Sequence, residues 1–504
     1  MSHARVTTRS GAYADSVRLM QVSQLVGSAD GVEAALVAMA TDINLDLARD
    51  MGFTVSDATA DDLLIAIRAT DEAALDIAFE RAEQQLAARP LVREAGGADE
   101  VPARTVRSVA RHVGPALALI SVPGPHAFTE AMDALDAGCD VLVFSDNVPV
   151  AQEVRLKEVA AQRGLLVMGP DCGTAVVGGI GLGFANVVQP GPVGLVAASG
   201  TGAQQLMCLL DAADIGVSAV LGVGGRDLSA DVGGRGTIAA LDALDADPAT
   251  ELIVVLSKPP DPSVADRVRA RARFASTPVQ FALVGPGYPD LTAAAEDVVR
   301  ALGFRTPHWP EWPGRAPAPA RGPASARGWL RGLFSGGTLC VEAMVIASQG
   351  LGHVASNIPL PGGSHVDATT PTTGHVMLDF GDDALTRGRP HPMIDPSLRN
   401  AAVRTHAADP ATAAILFDVV LGYGSHPDPA GGLAEALTAA QREAMAQGRT
   451  LALIGHVCGT DGDPQDRAAQ IRKLEAAGAI VADSNYQAAT LAAELALRRA
   501  KRGS

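Results

Sequence analysis

Aromatic residues make up only 4% of this 504-residue chain, cysteine occurs five times and lysine four times. Each scarcity excludes something. Cys139, Cys172, Cys208, Cys340 and Cys458 are scattered with no C-x-x-C pair, which argues against a disulfide framework and for a reducing, cytoplasmic setting. No dense basic run appears, and 56 acidic against 40 basic residues leave a net charge of −16, so nucleic acid and anionic membrane are poor partners. A small anionic substrate must then be held by local features, because the global field repels it. No apolar stretch approaches the roughly 20 residues of a spanning helix, and "MSHARVTTRSGAYADS" lacks the apolar core of a signal peptide.

What is present is an apolar chain, 47% hydrophobic, long enough for three or four α/β domains. It is internally repeated. The pentapeptide "ADPAT" occurs at 246–250 and again at 408–412, running first into "ELIVVLSKPP" and then into "AAILFDVVLGYG". Upstream, "LVAASGTGAQQLM" (195–207) pairs with "RGLFSGGTLCVEAM" (331–344); downstream, "TPVQFALVGPG" (277–287) pairs with "RTLALIGHVCG" (449–459). Three landmarks in one order define a duplication, whose offset grows from 136 at Ser199/Ser335 to 162 at "ADPAT".

Strand and helix patterns alternate throughout. Residues 1–95 read as an N-terminal α/β domain and 94–104 as a linker. Residues 96–190 read as a Rossmann-like domain, with buried strands and covering helices that imply a parallel sheet. The two repeats occupy 191–304 and 329–504, joined by the Pro/Gly/Ala-rich stretch 305–328, and the chain closes on a surface helix with a basic tail.

Each repeat opens with a strand, a Gly/Ser/Thr turn and a helix. The turns are Ser199-Gly200-Thr201-Gly202 and Ser335-Gly336-Gly337-Thr338. Glycine lets the backbone approach a ligand, Ser and Thr cap the helix, and the free N–H groups at a helix start favour an anion. Ordinary capped turns are the bland reading of either alone. Two matching turns in a pseudo-symmetric pair would aim two helix N-termini at one phosphate-sized anion.

The order "VPGPHAFTEAMDALDAG", "VMGPDCGT", "QPGPVGLVAASGTG", "GVGG" and "ADPATELIVVL" resembles the α subunit of succinyl-CoA synthetase over roughly residues 105–300. The second repeat, with "SGGTLCVEAM", "VMLDFGDD" and "ADPATAAILFDVVLGYG", is similar to the carboxy-terminal ligase domain of the β subunit. The whole length, from "SGAYADSVRLM" to "HVCGTDGDPQ", resembles the FdrA family. The resemblance implies a Rossmann-like CoA-binding-type domain followed by two flavodoxin-like ligase domains with parallel sheets. It also implies that one helix from each ligase domain points at the transferring phosphate. Two family features are missing: the loop "LVGPGYPDLTAAAE" (283–296) has no phosphorylated histidine, and no ATP-grasp domain is evident. The FdrA resemblance further implies a subunit of an oxamate-type carbamoyltransferase in allantoin (purine) degradation, exchanging carbamoyl between substrate and phosphate. Such a reaction needs an oxyanion cradle but neither missing feature.

The expectations are therefore these. Lys258 and His456, at matching strand ends, are the catalytic candidates, Lys258 for an anionic group and His456 as acid, base or carbonyl donor, each against a purely structural role. Cys458 reads as packing. Asp171, Gly173, Thr174, Gly224 and Gly225 form a second tier of substrate contacts. Asp382 and Asp383 could hold Mg²⁺ or cap a helix, the cap being favoured. His353, His365 and His375, in an inserted segment at about 353–378, make no metal motif. No cofactor is fixed; carbamoyl phosphate or phosphate is the expected ligand, with CoA and Mg²⁺ open and partner subunits expected. The alternatives are an acid–CoA ligase component working with a separate ATP-grasp partner, and a non-catalytic binding subunit.

Overall fold

The computed structural model describes residues 3–10, 16–27, 29–55, 58–59, 62–87, 105–114, 116–306, 328–368, 373–386 and 389–503. The linker at 94–104 and most of that at 305–328 lie outside the described residues. The chain divides into two compact units, residues 1–102 with 386–390 and residues 103–385 with 391–504.

The first unit contains β1 (His3–Arg9), α1 (Ser16–Gly27), β2 (Val32–Met39), α2 (Asp42–Asp50), β3 (Leu63–Ala69) and α3 (Glu72–Ala87). Its sheet is antiparallel throughout, in the order β1-β3-β2. Central β3 is apolar on both faces. Leu63, Ile65 and Ile67 pack with Leu19, Val26 and Phe79, while Leu64 and Ala66 pack with Leu45 and Phe53. Period-two alternation puts successive residues on opposite faces, so both layers are buried.

The second unit opens with α4 (Val106–Val113), β4 (Leu117–Ile120), α5 (Gly124–Asp136), β5 (Asp140–Val143), α6 (Val150–Arg163) and β6 (Val167–Met168), whose strands form a three-stranded parallel sheet. The hairpin β7 (Thr174–Val177) and β8 (Ile180–Gly183), turned by Gly178 and Gly179 at φ of 59° and 78°, follows. It pairs antiparallel with β10 below and so extends the next sheet rather than the Rossmann-like one.

The first lobe continues with β9 (Pro190–Ala197), α7 (Gly200–Asp211), β10 (Val217–Gly222), α8 (Arg235–Asp245), β11 (Leu252–Ser257), α9 (Pro262–Ala272), β12 (Val279–Leu283) and α10 (Leu291–Ala301). The second lobe holds β13 (Trp329–Phe334), α11 (Gly337–Leu351), β14 (Val354–Ser356), β15 (His375–Asp379), α12 (Asp383–Thr386), α13 (Ser397–Ala408), β16 (Thr412–Val420), α14 (Pro429–Ala446), β17 (Ala452–Cys458), α15 (Arg467–Ala476), β18 (Ile480–Ala482) and α16 (Asn485–Gly503). The sheets run β12-β11-β9-β10-β7-β8 and β14-β15-β13-β16-β17-β18, so β12-β11-β9-β10 and β17-β16-β13-β15 share one parallel topology.

Three details differ from the sequence reading. Keyed on the shared "ADPAT" strands, Val196 faces Val255 and Leu333 faces Phe417, which shifts the central match by one residue. Gly336, and not Ser335, stands where Ser199 stands as helix N-cap. The described part of the inserted segment carries regular structure: β14 lies within it and β15 starts at its end, His375 Nδ1 accepts the Leu330 N–H at 3.1 Å, and His365 bridges to Ser356. Finally, α16 is no surface helix, because Ala488, Ala489, Leu491, Ala492, Leu495 and Ala496 are buried and join the core containing Leu339, Ala343 and Met344 of α11. Small alanines permit that close helix approach.

Candidate functional site

The two turns meet. Ser199 Oγ lies 2.5 Å from Thr338 Oγ1, and the Thr338 N–H donates to Thr201 Oγ1 at 3.4 Å. Ser199 also caps α7, its Oγ accepting the Gly202 N–H at 3.1 Å. Close approach demands glycine at two places. A Cβ on Gly202 would stand 2.6 Å from Ser199 Oγ and 3.1 Å from Thr338 Cγ2, and one on Gly336 would stand 3.0 Å from Thr201 Cγ2. The N–H groups of Gly200 and Thr201 open α7 and have no acceptor among the described residues, so this end can receive an anion.

The second turn is different in kind. Gly336 has no side chain to cap α11, and Asp418, buried on β16, supplies the acceptor from across the sheet. Its Oδ1 takes the Ser335 N–H at 2.7 Å and its Oδ2 the Gly336 N–H at 2.8 Å. Buried Arg399 backs it, donating to the Asp418 carbonyl at 2.6 Å and standing 3.5 Å from Oδ1. Burial raises the Asp418 carboxyl above its ordinary value despite these partners. Ser335 and Gly336 therefore spend their amides on a built-in carboxylate, while Thr338 meets Ser199 and Thr201 of the first lobe and Gly337 lies beside Asp379.

A second acid flanks the same helix. Asp379 ends β15, its Oδ1 accepting the Gly381 N–H at 2.9 Å, and burial pushes its carboxyl up to about 7. The ladder register places Asp379 and Asp418 where the first lobe has Gly222 and Leu256. Sequence reasoning missed both. A signal existed for Asp418, a charged residue inside the apolar strand "AAILFDVV".

Lys258 stands exposed at the end of β11, and its charge reaches across to Asp379. His456 does not join the junction. Its Nε2 pairs with Gln205 Oε1 at 2.7 Å and its Nδ1 with the Ala482 carbonyl at 3.1 Å, and burial lowers its pKa to about 4. Nε2 thus faces Gln205 of the first lobe and Nδ1 faces Ala482 of β18 in its own lobe, so both ring nitrogens are engaged away from the meeting of the turns. Cys458 is buried beside Cys208, with sulfurs 3.9 Å apart.

In the second tier, Asp171 sits in the left-handed region at φ 57° and keeps solvent contact while protein encloses it; desolvation, helped by the nearby charges of Asp383 and Asp146, pushes it up to about 7. Gly225 lies close, a Cβ there meeting Asp171 Oδ2 at 3.8 Å and the Ala198 carbonyl at 4.0 Å. Gly224, at φ 88°, packs against the Pro170 carbonyl, and Gly173 against Phe184. Thr174 is turned inward, its hydroxyl donating to the Phe184 carbonyl at 2.8 Å. The loop carrying Gly224 and Gly225 is anchored by buried Asp227, which accepts from Lys157 Nζ, Gly236 N and Thr237 N at 2.8 Å each. Asp382 Oδ1 accepts the Ala384 N–H at 3.0 Å, a helix-capping bond.

A CoA-ligase family model matches residues 333–495, and a model described as the AllF heavy metal-associated domain matches residues 1–102. Residues 1–102 contain no cysteine and a single histidine, His3, so they do not fit a soft-metal site. The Escherichia coli K12 protein YahF is 38% identical over 509 residues, covering 97% of this chain and 98% of that one. A succinate–CoA ligase [ADP-forming] α subunit of Archaeoglobus fulgidus is 28% identical over 158 residues, 31% of this chain and about half (54%) of its own length. Among solved structures, the Ca. Korarchaeum cryptofilum dinucleotide-forming acetyl-coenzyme A synthetase 1 with phosphate and ADP is 17% identical at a TM-score of 0.27, covering 77% of this chain and 83% of that one. That likeness is too loose to inform the site. No helix among the described residues is long and apolar enough to cross a membrane.

Proposed function

We propose that this chain, which belongs to the family of the Escherichia coli protein YahF, is the anion-handling component of an acid–CoA ligase-type transferase. The observation that carries this reading is the 2.5 Å contact between Ser199 Oγ and Thr338 Oγ1, which sets two helix N-termini against each other. A small carboxylate or phosphate at Gly200 and Thr201 would meet free amides, the positive end of α7 and the Lys258 ammonium. The CoA-ligase match over the second lobe supports the same reading. CoA would be the thiol acceptor, and the nucleotide-handling half, with its Mg²⁺, would come from a partner subunit.

A second reading is carbamoyl exchange with phosphate, which the FdrA resemblance implies. One observation favours it: loop 283–296 has no histidine and His456 is held between Gln205 and Ala482, so neither of those two positions offers a phosphohistidine. Carbamoyl exchange needs none.

Thermal unfolding of the purified protein with phosphate, carbamoyl phosphate, CoA and ATP, each alone, separates the readings, because a ligand that binds only the folded state raises the midpoint. Stabilisation by phosphate and by CoA, with the phosphate effect lost in Lys258→Ala, supports the ligase component. Stabilisation by carbamoyl phosphate without CoA moves the assignment to the second reading. No response to any of the four overturns both.

A further inference from the structure

The second lobe's helix terminus carries an acid and an imidazole that the reading above leaves unused. Asp379 is only 6% exposed. Its backbone is clamped by Asn357, which accepts its N–H at 2.9 Å and donates to its carbonyl at 2.7 Å. Oδ1 is held by the Gly381 N–H, but Oδ2 has no partner among the described residues. Oδ2 stands 2.5 Å from the point a Cβ on Gly337 would occupy, which brings it to the first residue of α11.

His391 lies beside it. Its Nδ1 accepts the Met393 N–H at 3.2 Å, so the proton of the neutral ring is on Nε2. Nε2 is 2.6 Å, and Asp379 Oδ1 3.2 Å, from the point a Cβ on Gly381 would occupy. Nε2 has no acceptor among the described residues, and burial keeps the ring neutral, with its pKa lowered to about 4. The Phe184 ring covers it at 5.5 Å between centroids. One helix terminus thus gathers a carboxyl oxygen without a donor and an N–H without an acceptor, both next to glycine.

We propose that Asp379 is the proton-handling group of the junction: when an anion enters, Asp379 takes up a proton and, with the His391 Nε2–H, donates a hydrogen bond to it. This rests on the reading that the meeting of α7 and α11 is the anion site. The physical reason is that a bare carboxylate beside an anion is repelled, whereas a protonated one becomes a donor. The charged and titratable groups facing Asp379 are Lys258 from β11, Asp418 from β16, Asp382 after β15, Cys340 on α11 and His391. Lys258 favours the ionised form of Asp379, and Asp418 and Asp382 oppose it. Asp418 is already committed to two amides and Arg399, which leaves Asp379 as the acid able to respond.

Sulfate is the probe, since it does not titrate near neutrality. Calorimetric titration at pH 8 in two buffers of different ionisation heat counts the protons taken up on binding. Close to one proton per sulfate is expected, falling to none at pH 5.5, and affinity should weaken about tenfold per pH unit above about 7. Asp379→Asn, checked for folding by its thermal midpoint, should bind sulfate with no linked proton and no pH slope. His391→Gln should weaken binding while keeping the slope. The proposal is overturned if Asp379→Asn keeps the wild-type proton count, or if wild type binds sulfate with none. If sulfate does not bind, or binds Lys258→Ala as well as wild type, the junction reading itself fails and takes the proposal with it.

Discussion

The carboxylate of Asp418 holds the backbone N–H of Gly336 at 2.8 Å, doing for α11 what the Ser199 hydroxyl does for α7. The duplication therefore conserves the geometry of a capped helix but not its chemistry. In the first lobe the cap is neutral and local. In the second it is a buried acid delivered from a strand 82 residues away, with Arg399 as its counter-charge.

Asp418→Ala would leave Arg399 buried without its counter-charge and two amides without an acceptor. A loss of about 3–5 kcal/mol is expected, measured by urea denaturation, with Asp418→Asn losing less because one acceptor remains. A loss within about 1 kcal/mol of zero would show that Asp418 is not the cap that matters.

Gly202→Ala places a methyl group 2.6 Å from Ser199 Oγ, inside the contact between the turns. The expected cost is about 1–3 kcal/mol, together with loss of phosphate stabilisation in the thermal assay. Unchanged phosphate stabilisation would mean that the anion sits elsewhere.

Glu342, buried on α11, accepts the Leu291 N–H and an Asn485 N–H, each at 2.7 Å, and burial pushes its carboxyl from an ordinary 4.5 up to about 7. Between those values the folded chain holds a proton that the unfolded chain has released. Its contribution is thus full below about pH 4.5 and is lost as pH rises through about 7. Glu342→Gln should flatten the decline of stability over this window, by up to about 1.4 kcal/mol per pH unit, as read from urea midpoints at pH 5 and 7.5. Parallel pH profiles for the two proteins would refute the assignment.

His456 titrates the other way. Its folded value, about 4, lies below the ordinary 6.5, so its contribution is present above 6.5 and is lost as pH falls toward 4. His456→Ala removes the Gln205 contact, and a cost of about 1–3 kcal/mol is expected, with sulfate affinity unchanged. A loss of affinity without a loss of stability would return His456 to the functional site.

The α/β class, the duplication and the Gly/Ser/Thr turns were all legible in the sequence, because they arise from local patterning: apolar strand periods, helix caps and glycine where backbones approach. Gly225, Lys258 and both turns were singled out on that basis, whereas Asp171 came from the resemblance of "GPDCGT" to the synthetase relatives. The one-residue shift that puts Gly336 in place of Ser199 was not, since "SGT" and "SGGT" align equally well until hydrogen-bonded register decides. Nor were the roles of His456 and α16, which depend on what packs against them. Tertiary structure alone brought Asp418, Arg399, Asp379 and His391 to one helix terminus. Their partnership joins four separate segments, and a buried acid's function is set by the amides and charges that surround it, which a linear spacing does not record.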